Sequence, residues 1–122
     1  MDQAIVACST PPGRGAISVV RISGKEAKSI INRLFSLKFA HGTSKVAETS
    51  LSERFNEKCL ISCFEGPSSY TGEDVAEISC HGNPLIVRAL VQKCVELGAR
   101  NANPGEFTQR AFLNNKIDLA QS

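Results

Sequence analysis

Several short segments of the chain are rich in Val, Ile and Cys, and this pattern predicts β-strands. The segments are 4–8, 17–22, 58–64 and 75–80, followed by a short one at 99–102. In the segment 75–80, alternation places Ala76, Ile78 and Cys80 on one face and Glu77 in the middle of the other. Glu77 is therefore a carboxylate on a weakly polar strand, either on a solvated outer face or in a site.

Apolar residues spaced three or four apart predict three helices. The first follows Ser23 and Glu26, which have the spacing of a capping box. The second begins at Pro84 and ends at Gly98, and the third opens at 104–106 and ends at Asn114. The predicted inner faces are Ala27, Ile30, Ile31, Leu34 and Phe35; Val87, Leu90, Val91, Cys94 and Val95; and Phe107, Ala111 and Phe112.

Between 36 and 56 the periodicity is lost, which predicts a long connection with at most one short strand or turn. The resulting order, β-β-α-β-β-α-β-α, predicts an α+β fold: a mixed β-sheet with about three helices on one side. Asp118 has the character of a helix cap four residues before the last residue. We therefore expect residues 1–118 to form one domain and 119–122 to begin a following helical domain.

Composition limits the classes of function. The 122 residues suffice for one domain, and a net charge of +2 is too balanced to indicate nucleic-acid or membrane binding by bulk charge. The apolar runs are shorter than the roughly 20 residues of a membrane span, and residues 1–3 do not resemble a secretion signal. We expect a cytoplasmic protein with no membrane contact.

The five cysteines are odd in number and scattered, which is not typical of a disulfide framework. Cys59 and Cys63 lie four apart and Cys80 precedes His81, but no second motif completes a metal site. Because these cysteines lie among apolar residues, we interpret them as small hydrophobic side chains and expect no metal.

Polar residues with binding chemistry lie at strand ends and in turns: Arg14, Arg21, Glu77, His81, Arg110 and Lys116. Arg21 shares a strand face with Ile17 and Val19, where an unpaired cation is costly to bury. It must therefore reach water or meet an anion, either Glu77 or a ligand carboxylate. The residues alone indicate a small-molecule or anion site as one hypothesis among several.

Five motif blocks occur in order along the chain. They are TPPGRG (10–15), RISG (21–24), YTGEDVAE (70–77), HG (81–82) and PGEFTQRAFLNNKIDL (104–119). Together they closely resemble the N-terminal domain of the MnmE (TrmE) family of tRNA modification GTPases. The resemblance is loose between 25 and 64, and Asn83 and Asn115 stand where the family usually has glycine.

The resemblance implies a fold like the tetrahydrofolate-binding domain of aminomethyltransferases. It also implies a homodimer that binds 5-formyltetrahydrofolate or a related one-carbon tetrahydrofolate near its interface. Matching positions imply Arg21, Glu77 and Lys116 as cofactor-binding residues and no catalytic residue. We expect Glu77 to accept from the pterin N–H groups, and Arg21 or Lys116 to meet the glutamate tail. The alternative is a dimerisation scaffold in which Arg21 and Glu77 form an ion pair that only joins two strands.

The resemblance further implies a role within a larger protein. The family acts with an FAD-dependent partner, MnmG (GidA), on the wobble uridine (U34) of tRNA. GTP, Mg²⁺ and K⁺ belong to a GTPase domain, and this chain has neither a P-loop nor a Cys-x-Gly-Lys motif. We expect this chain by itself neither to hydrolyse GTP nor to modify tRNA.

Overall fold

The computed structural model of the chain describes residues 3–10, 16–36, 38, 40–53 and 55–114. Within these ranges the chain has the expected α+β fold, with three helices and a mixed sheet. The strands are β1 (Ile5–Cys8), β2 (Ile17–Ser23), β3 (Ser44–Ser52), β4 (Phe55–Phe64), β5 (Val75–His81) and β6 (Arg100–Asn101). The helices are α1 (Ala27–Phe35), α2 (Pro84–Glu96) and α3 (Glu106–Leu113).

The six strands form one sheet in the order β3-β4-β5-β2-β1-β6. Neighbouring strands are antiparallel except β1 and β6, which run parallel. The register of β2 and β5 places Arg21 directly opposite Glu77. The topology thus joins two charged residues that are 56 positions apart in the sequence.

One face of the sheet is apolar and is covered by α1 and α2. Alternate residues of each strand reach this face because successive side chains of a strand point to opposite sides. Burying this apolar surface, at about 25 cal/mol per Å², holds the two helices on the sheet. Core residues include Val6, Val20, Ile22, Ala27, Ile30, Ile31, Phe35, Ile61, Ala76, Ile78, Leu90 and Cys94.

The opposite face is not covered by α1 or α2, and we call it the open face. It is defined by Val46, Leu60, Ser62, Glu77, Ser79, Val19 and Arg21, which alternate with core residues along β3, β4, β5 and β2. α3 reaches this face, because its Phe107 contacts Arg21. The expectation that the helices lie on one side therefore holds for α1 and α2 but not for α3.

The strands predicted from the sequence are confirmed, and β4 begins earlier than expected. The prediction of a long connection over 36–56 is wrong, since β3 occupies nine of those residues at the edge of the sheet. Only Ala47 and Thr49 of β3 are buried, so the strand has a weak apolar signal.

Four of the predicted helix boundaries are confirmed and one is wrong. Pro84 begins α2, and Gly98, with φ 119°, follows its C-cap. α3 opens at Glu106, and Asn114 caps its end. The capping box is wrong, because Glu26 is the N-cap of α1 without a side-chain cap, and the Ser23 hydroxyl bonds Thr71 and Glu73 instead. No helix in the described ranges is long and apolar enough to cross a membrane.

Candidate functional site

The central pair of the open face is Arg21 and Glu77. Arg21 Nε and Nη2 lie 2.9 Å and 2.8 Å from the same atom, Glu77 Oε2. The side chains are 25% and 30% exposed, so the charges are partly desolvated and compensate each other. The ion pair that the sequence offered as one alternative for Arg21 is thus present.

Two aromatic rings flank the Arg21 guanidinium. Its Cζ lies 5.4 Å from the centre of the Tyr70 ring and 5.8 Å from that of Phe107. Such cation–π contacts are worth about 0.5–1 kcal/mol at exposed sites and also restrict the plane of the guanidinium. The Tyr70 hydroxyl lies 3.0 Å from Thr108 Oγ1, which joins the two ring-bearing segments. Sequence reasoning did not assign these rings to the site, because nothing in their spacing identifies the cation they contact.

The pair leaves polar atoms unused. Within the described ranges, Glu77 Oε1 and Arg21 Nη1 make no hydrogen bond. A fork-to-fork pair of arginine and carboxylate normally uses both oxygens, so this geometry keeps one acceptor available. A ligand on the open face can therefore bind to the pair without breaking it.

Arg110, a candidate binding residue from the sequence, is turned into the protein and is only 1% exposed. Its Nη1 donates to Glu73 at 3.1 Å and to the Ser23 carbonyl at 3.4 Å. Its Nη2 donates to the Gln3 carbonyl at 2.8 Å. Arg110 is thus unavailable to a ligand.

The inner face predicted for α3 is correct at Ala111, which is buried, and wrong at Phe112, which is 37% exposed.

A second ion pair holds the start of α3. Arg100 Nη2 lies 2.6 Å from Glu106 Oε2, and Glu106 also accepts from the Asn103 N–H at 2.9 Å. The hydrogen bond from Arg100, followed by that from Asn103 and the charge of Arg110, lowers the pKa of Glu106 to about 2. Glu106 therefore stays ionised, and α3 stays attached to the strand that carries Arg100.

His81 lies at the far end of β5 from the Arg21–Glu77 pair. Its Nδ1 is 2.8 Å from Oε2 of Glu57, which also accepts from the His81 backbone N–H. The Glu57 side chain is 2% exposed, so His81 compensates a buried carboxyl group. Four residues along a strand span about 13 Å, so His81 does not belong to the same cluster as Glu77.

The remaining predicted binding residues, Arg14 and Lys116, lie outside the described residues. The structure therefore brings Arg21 and Glu77 together and says nothing of Lys116. In the described ranges, no group of three or more His, Cys, Asp and Glu is placed to hold a metal ion.

Comparison with known proteins places this chain in a family. A family model described as the N-terminus of the GTP-binding protein TrmE matches residues 4–116. The chain belongs to this family. The match spans every strand and helix described above and ends at Lys116, the third predicted cofactor-binding residue.

Curated relatives agree with the family model. The chain is 44% identical over 126 residues to a tRNA modification GTPase MnmE of Helicobacter pylori, covering 99% of this chain and 27% of that relative. It is 45% identical over 118 residues to the MnmE of Francisella philomiragia, covering 97% of this chain and 26% of that relative. It is 42% identical over 132 residues to the MnmE of Koribacter versatilis, covering 100% of this chain and 28% of that relative. The chain thus spans about a quarter of the length of these relatives.

Four of the cysteines are poorly suited to nucleophilic chemistry. Burial raises the pKa of the Cys59 and Cys94 thiols to about 12 and that of Cys80 to about 11. Burial also raises the pKa of Cys63. Since the thiolate is the reactive form, these side chains act as apolar packing groups, as the sequence predicts.

Proposed function

We propose that this chain is a folate-binding, dimerising module of a GTPase that modifies the wobble uridine of tRNA. Its ligand is 5-formyltetrahydrofolate or a related one-carbon tetrahydrofolate. The observation that carries the proposal is that Glu77 Oε1 and Arg21 Nη1, on a face not covered by α1 or α2, make no hydrogen bond to any residue that the structure describes.

The chemistry of the pair matches the pterin end of such a ligand. The pterin ring carries an amino group and a ring N–H that form a paired donor edge, and the Glu77 carboxylate would accept hydrogen bonds from it. The glutamate tail carries carboxylates, which Lys116 would bind, because Arg21 lies against Glu77 and the p-aminobenzoyl group separates the two ends of the ligand. The Tyr70 and Phe107 rings add an apolar wall of the kind that lines small-molecule sites.

Dimerisation is supported by apolar side chains on the open face. Val46 is 61% exposed and Leu60 is 44% exposed, and the two are directly opposite each other on β3 and β4. Ile17 on β2 is 63% exposed. Neighbouring exposed apolar side chains on one face indicate a binding surface, and we propose a second copy of this chain as its partner.

The proposed role in the larger protein is supported by the relatives, which are named tRNA modification GTPases. We propose that the chain works in the cytoplasm within a protein that has a separate GTPase domain for GTP, Mg²⁺ and K⁺. That protein would act on tRNA U34 together with an FAD-dependent MnmG (GidA) partner. This chain contributes cofactor binding and dimerisation and no catalytic residue.

Calorimetric titration with 5-formyltetrahydrofolate tests the ligand. Glu77→Ala and Arg21→Ala each remove a charge-assisted contact worth about 1.5–3 kcal/mol, so affinity should fall roughly tenfold to more than a hundredfold. A matched control is the exposed Lys28–Glu65 pair, whose Nζ and Oε1 lie 3.1 Å apart. Lys28→Met should leave the affinity unchanged. Equal binding by wild type and both site variants would show that the site is elsewhere.

The scaffold alternative makes a different prediction for the same protein. A chain that dimerises in sedimentation experiments but takes up no folate is a dimerisation scaffold, in which the Arg21–Glu77 pair only joins β2 and β5. An autonomous enzyme would have to turn over a folate or a nucleoside, and no sequence motif supports this.

A further inference from the structure

Four segments of the chain meet at the Arg110 guanidinium. They are the segment before β1 through the Gln3 carbonyl, the end of β2 through the Ser23 carbonyl, the loop before β5 through Glu73, and α3 itself through Glu106. A cation that is 1% exposed is tolerated only where such partners compensate it. The guanidinium therefore fixes α3 against the loop before β5 at a defined position.

Two more contacts join α3 to the same loop. The Tyr70 hydroxyl lies 3.0 Å from Thr108 Oγ1, and Asn114 Nδ2 donates to the Thr71 carbonyl at 3.1 Å. We call the three contacts, Tyr70–Thr108, Arg110–Glu73 and Asn114–Thr71, the α3 seam. They run along one helix over residues 108–114 and along one short loop over residues 70–73.

The two elements joined by this seam carry the rings that flank Arg21. Tyr70 belongs to the loop, and Phe107 belongs to the first turn of α3. The α3 seam sets the separation of the two rings. It therefore also sets the orientation that the plane of the Arg21 guanidinium takes between them. No residue of the pair itself can set it, because β2 and β5 fix only the Cα positions of Arg21 and Glu77.

We propose that Arg110 is a positioning residue of the folate site, acting through the α3 seam on Tyr70 and Phe107. The rings hold the Arg21 guanidinium so that both of its bonded nitrogens reach Oε2 of Glu77. A guanidinium that could rotate would adopt the commoner arrangement, in which two of its nitrogens bond the two different carboxylate oxygens. It would then occupy Glu77 Oε1. Loosening the seam thus removes the acceptor for the ligand although Arg110 does not contact the ligand. This inference rests on the proposed folate site.

The test uses two seam variants and one matched control in the whole chain. Thr108→Val removes only the link to Tyr70, and Arg110→Lys keeps a charge but loses the planar fork. Gln109→Ala, the matched control, changes an exposed side chain of the same helix that makes none of the three contacts of the α3 seam. All variants are assayed at a temperature at which their circular dichroism spectra match that of the wild type, so that every protein compared is folded.

Calorimetry should give a roughly 3- to 30-fold loss of 5-formyltetrahydrofolate affinity for both seam variants, the range of ordinary coupling energies. Gln109→Ala should bind like wild type. In a Glu77→Ala background, Thr108→Val should cause no further loss, because the acceptor it protects is already gone. A continued loss there, or an equal loss in Gln109→Ala, would mean that α3 acts only as a structural support.

A readout without ligand separates this inference from the proposed function. The Nε–H resonance of Arg21 is sensitive to ring currents and should shift in Thr108→Val and Arg110→Lys but not in Gln109→Ala. The chain has one tyrosine and no tryptophan, so its emission reports on Tyr70 alone and should change in the same variants. An unmoved Arg21 resonance overturns the positioning role. A wild type that does not bind the folate, with the resonance shifted as expected, overturns the proposed function only.

Discussion

Arg21 and Glu77 hold each other through a single carboxylate oxygen, with Nε and Nη2 both within 2.9 Å of Oε2. Reversing one charge should place like charges directly opposite on antiparallel strands and destabilise the fold. The double variant Arg21→Glu with Glu77→Arg should regain most of the lost stability in urea unfolding. It should not regain folate affinity, because donor and acceptor have exchanged positions. Recovery of binding would mean that the ligand responds only to net charge.

The close approach of Gly24 to β1 makes a stability prediction. Gly24 has φ +141°, and a Cβ added to it would stand 2.6 Å from the Ala4 Cα. Gly24→Ala should therefore combine backbone strain with overpacking and cost about 2–4 kcal/mol in urea unfolding. Gly42 is the control, since it also has a positive φ but no atom within 4 Å of an added Cβ. Gly42→Ala should cost only the backbone term, about 1–2 kcal/mol. Equal losses would exclude the contact with Ala4 as the cause.

The Arg100–Glu106 pair predicts a defined loss of stability in acid. The folded pKa of Glu106, about 2, lies below its ordinary value of 4.5 because Arg100 donates a hydrogen bond to it. Its contribution is complete above pH 4.5 and is lost as the pH falls from there through about 2. Urea unfolding between pH 7 and pH 2.5 should show this loss, and Glu106→Gln should flatten it.

The thiols should differ in reactivity. Cys8 is half-buried, whereas Cys59, Cys80 and Cys94 are buried, with pKa values raised to about 12, 11 and 12. At pH 8 a disulfide reagent should therefore label one thiol rapidly in the folded chain and five after unfolding. Cys8→Ser should abolish the rapid phase. Rapid labelling that survives this substitution would show that the core opens more readily than its packing implies.

If the open face is the dimer interface, a charge introduced into it should dissociate the dimer. Leu60→Asp places a carboxylate among exposed apolar side chains of the proposed interface, so it should shift sedimentation towards the monomer. Leu85, on α2, is more exposed at 71% against 44% for Leu60. Leu85→Asp should leave the oligomeric state unchanged. If Leu85→Asp dissociates the dimer and Leu60→Asp does not, the interface is not the open face.

Periodicity predicted the elements whose apolar residues are large. β2, β5 and α1 carry Val, Ile and Phe at core positions, so their patterns survive in the sequence. β3 was missed because its buried positions are Ala47 and Thr49, while Val46 is exposed and Leu51 is only partly buried. An edge strand needs few apolar residues, since one of its sides has no neighbour to pack against.

The site was predicted in part. Arg21 and Glu77 were identified as possible partners from face and charge, and the register confirms that they are opposite. Ser23 was misread because a capping motif describes local contacts, whereas its hydroxyl bonds Thr71, 48 positions away. Arg110 was assigned to a ligand because its buried partners, Glu73 and the Gln3 carbonyl, come from distant segments.

The pairing of β1 with β6, together with the bond from Arg110 to the Gln3 carbonyl, constrains the order of events during synthesis on a ribosome. The first strand is made early but keeps one unpaired edge until residues 100–101 emerge, and its amino-terminal end is fastened only once Arg110 has left the exit tunnel. A nascent chain stalled before that point would present a bare strand to its neighbours. We therefore expect truncations before residue 100 to aggregate on release, whereas chains that extend past α3 remain dispersed.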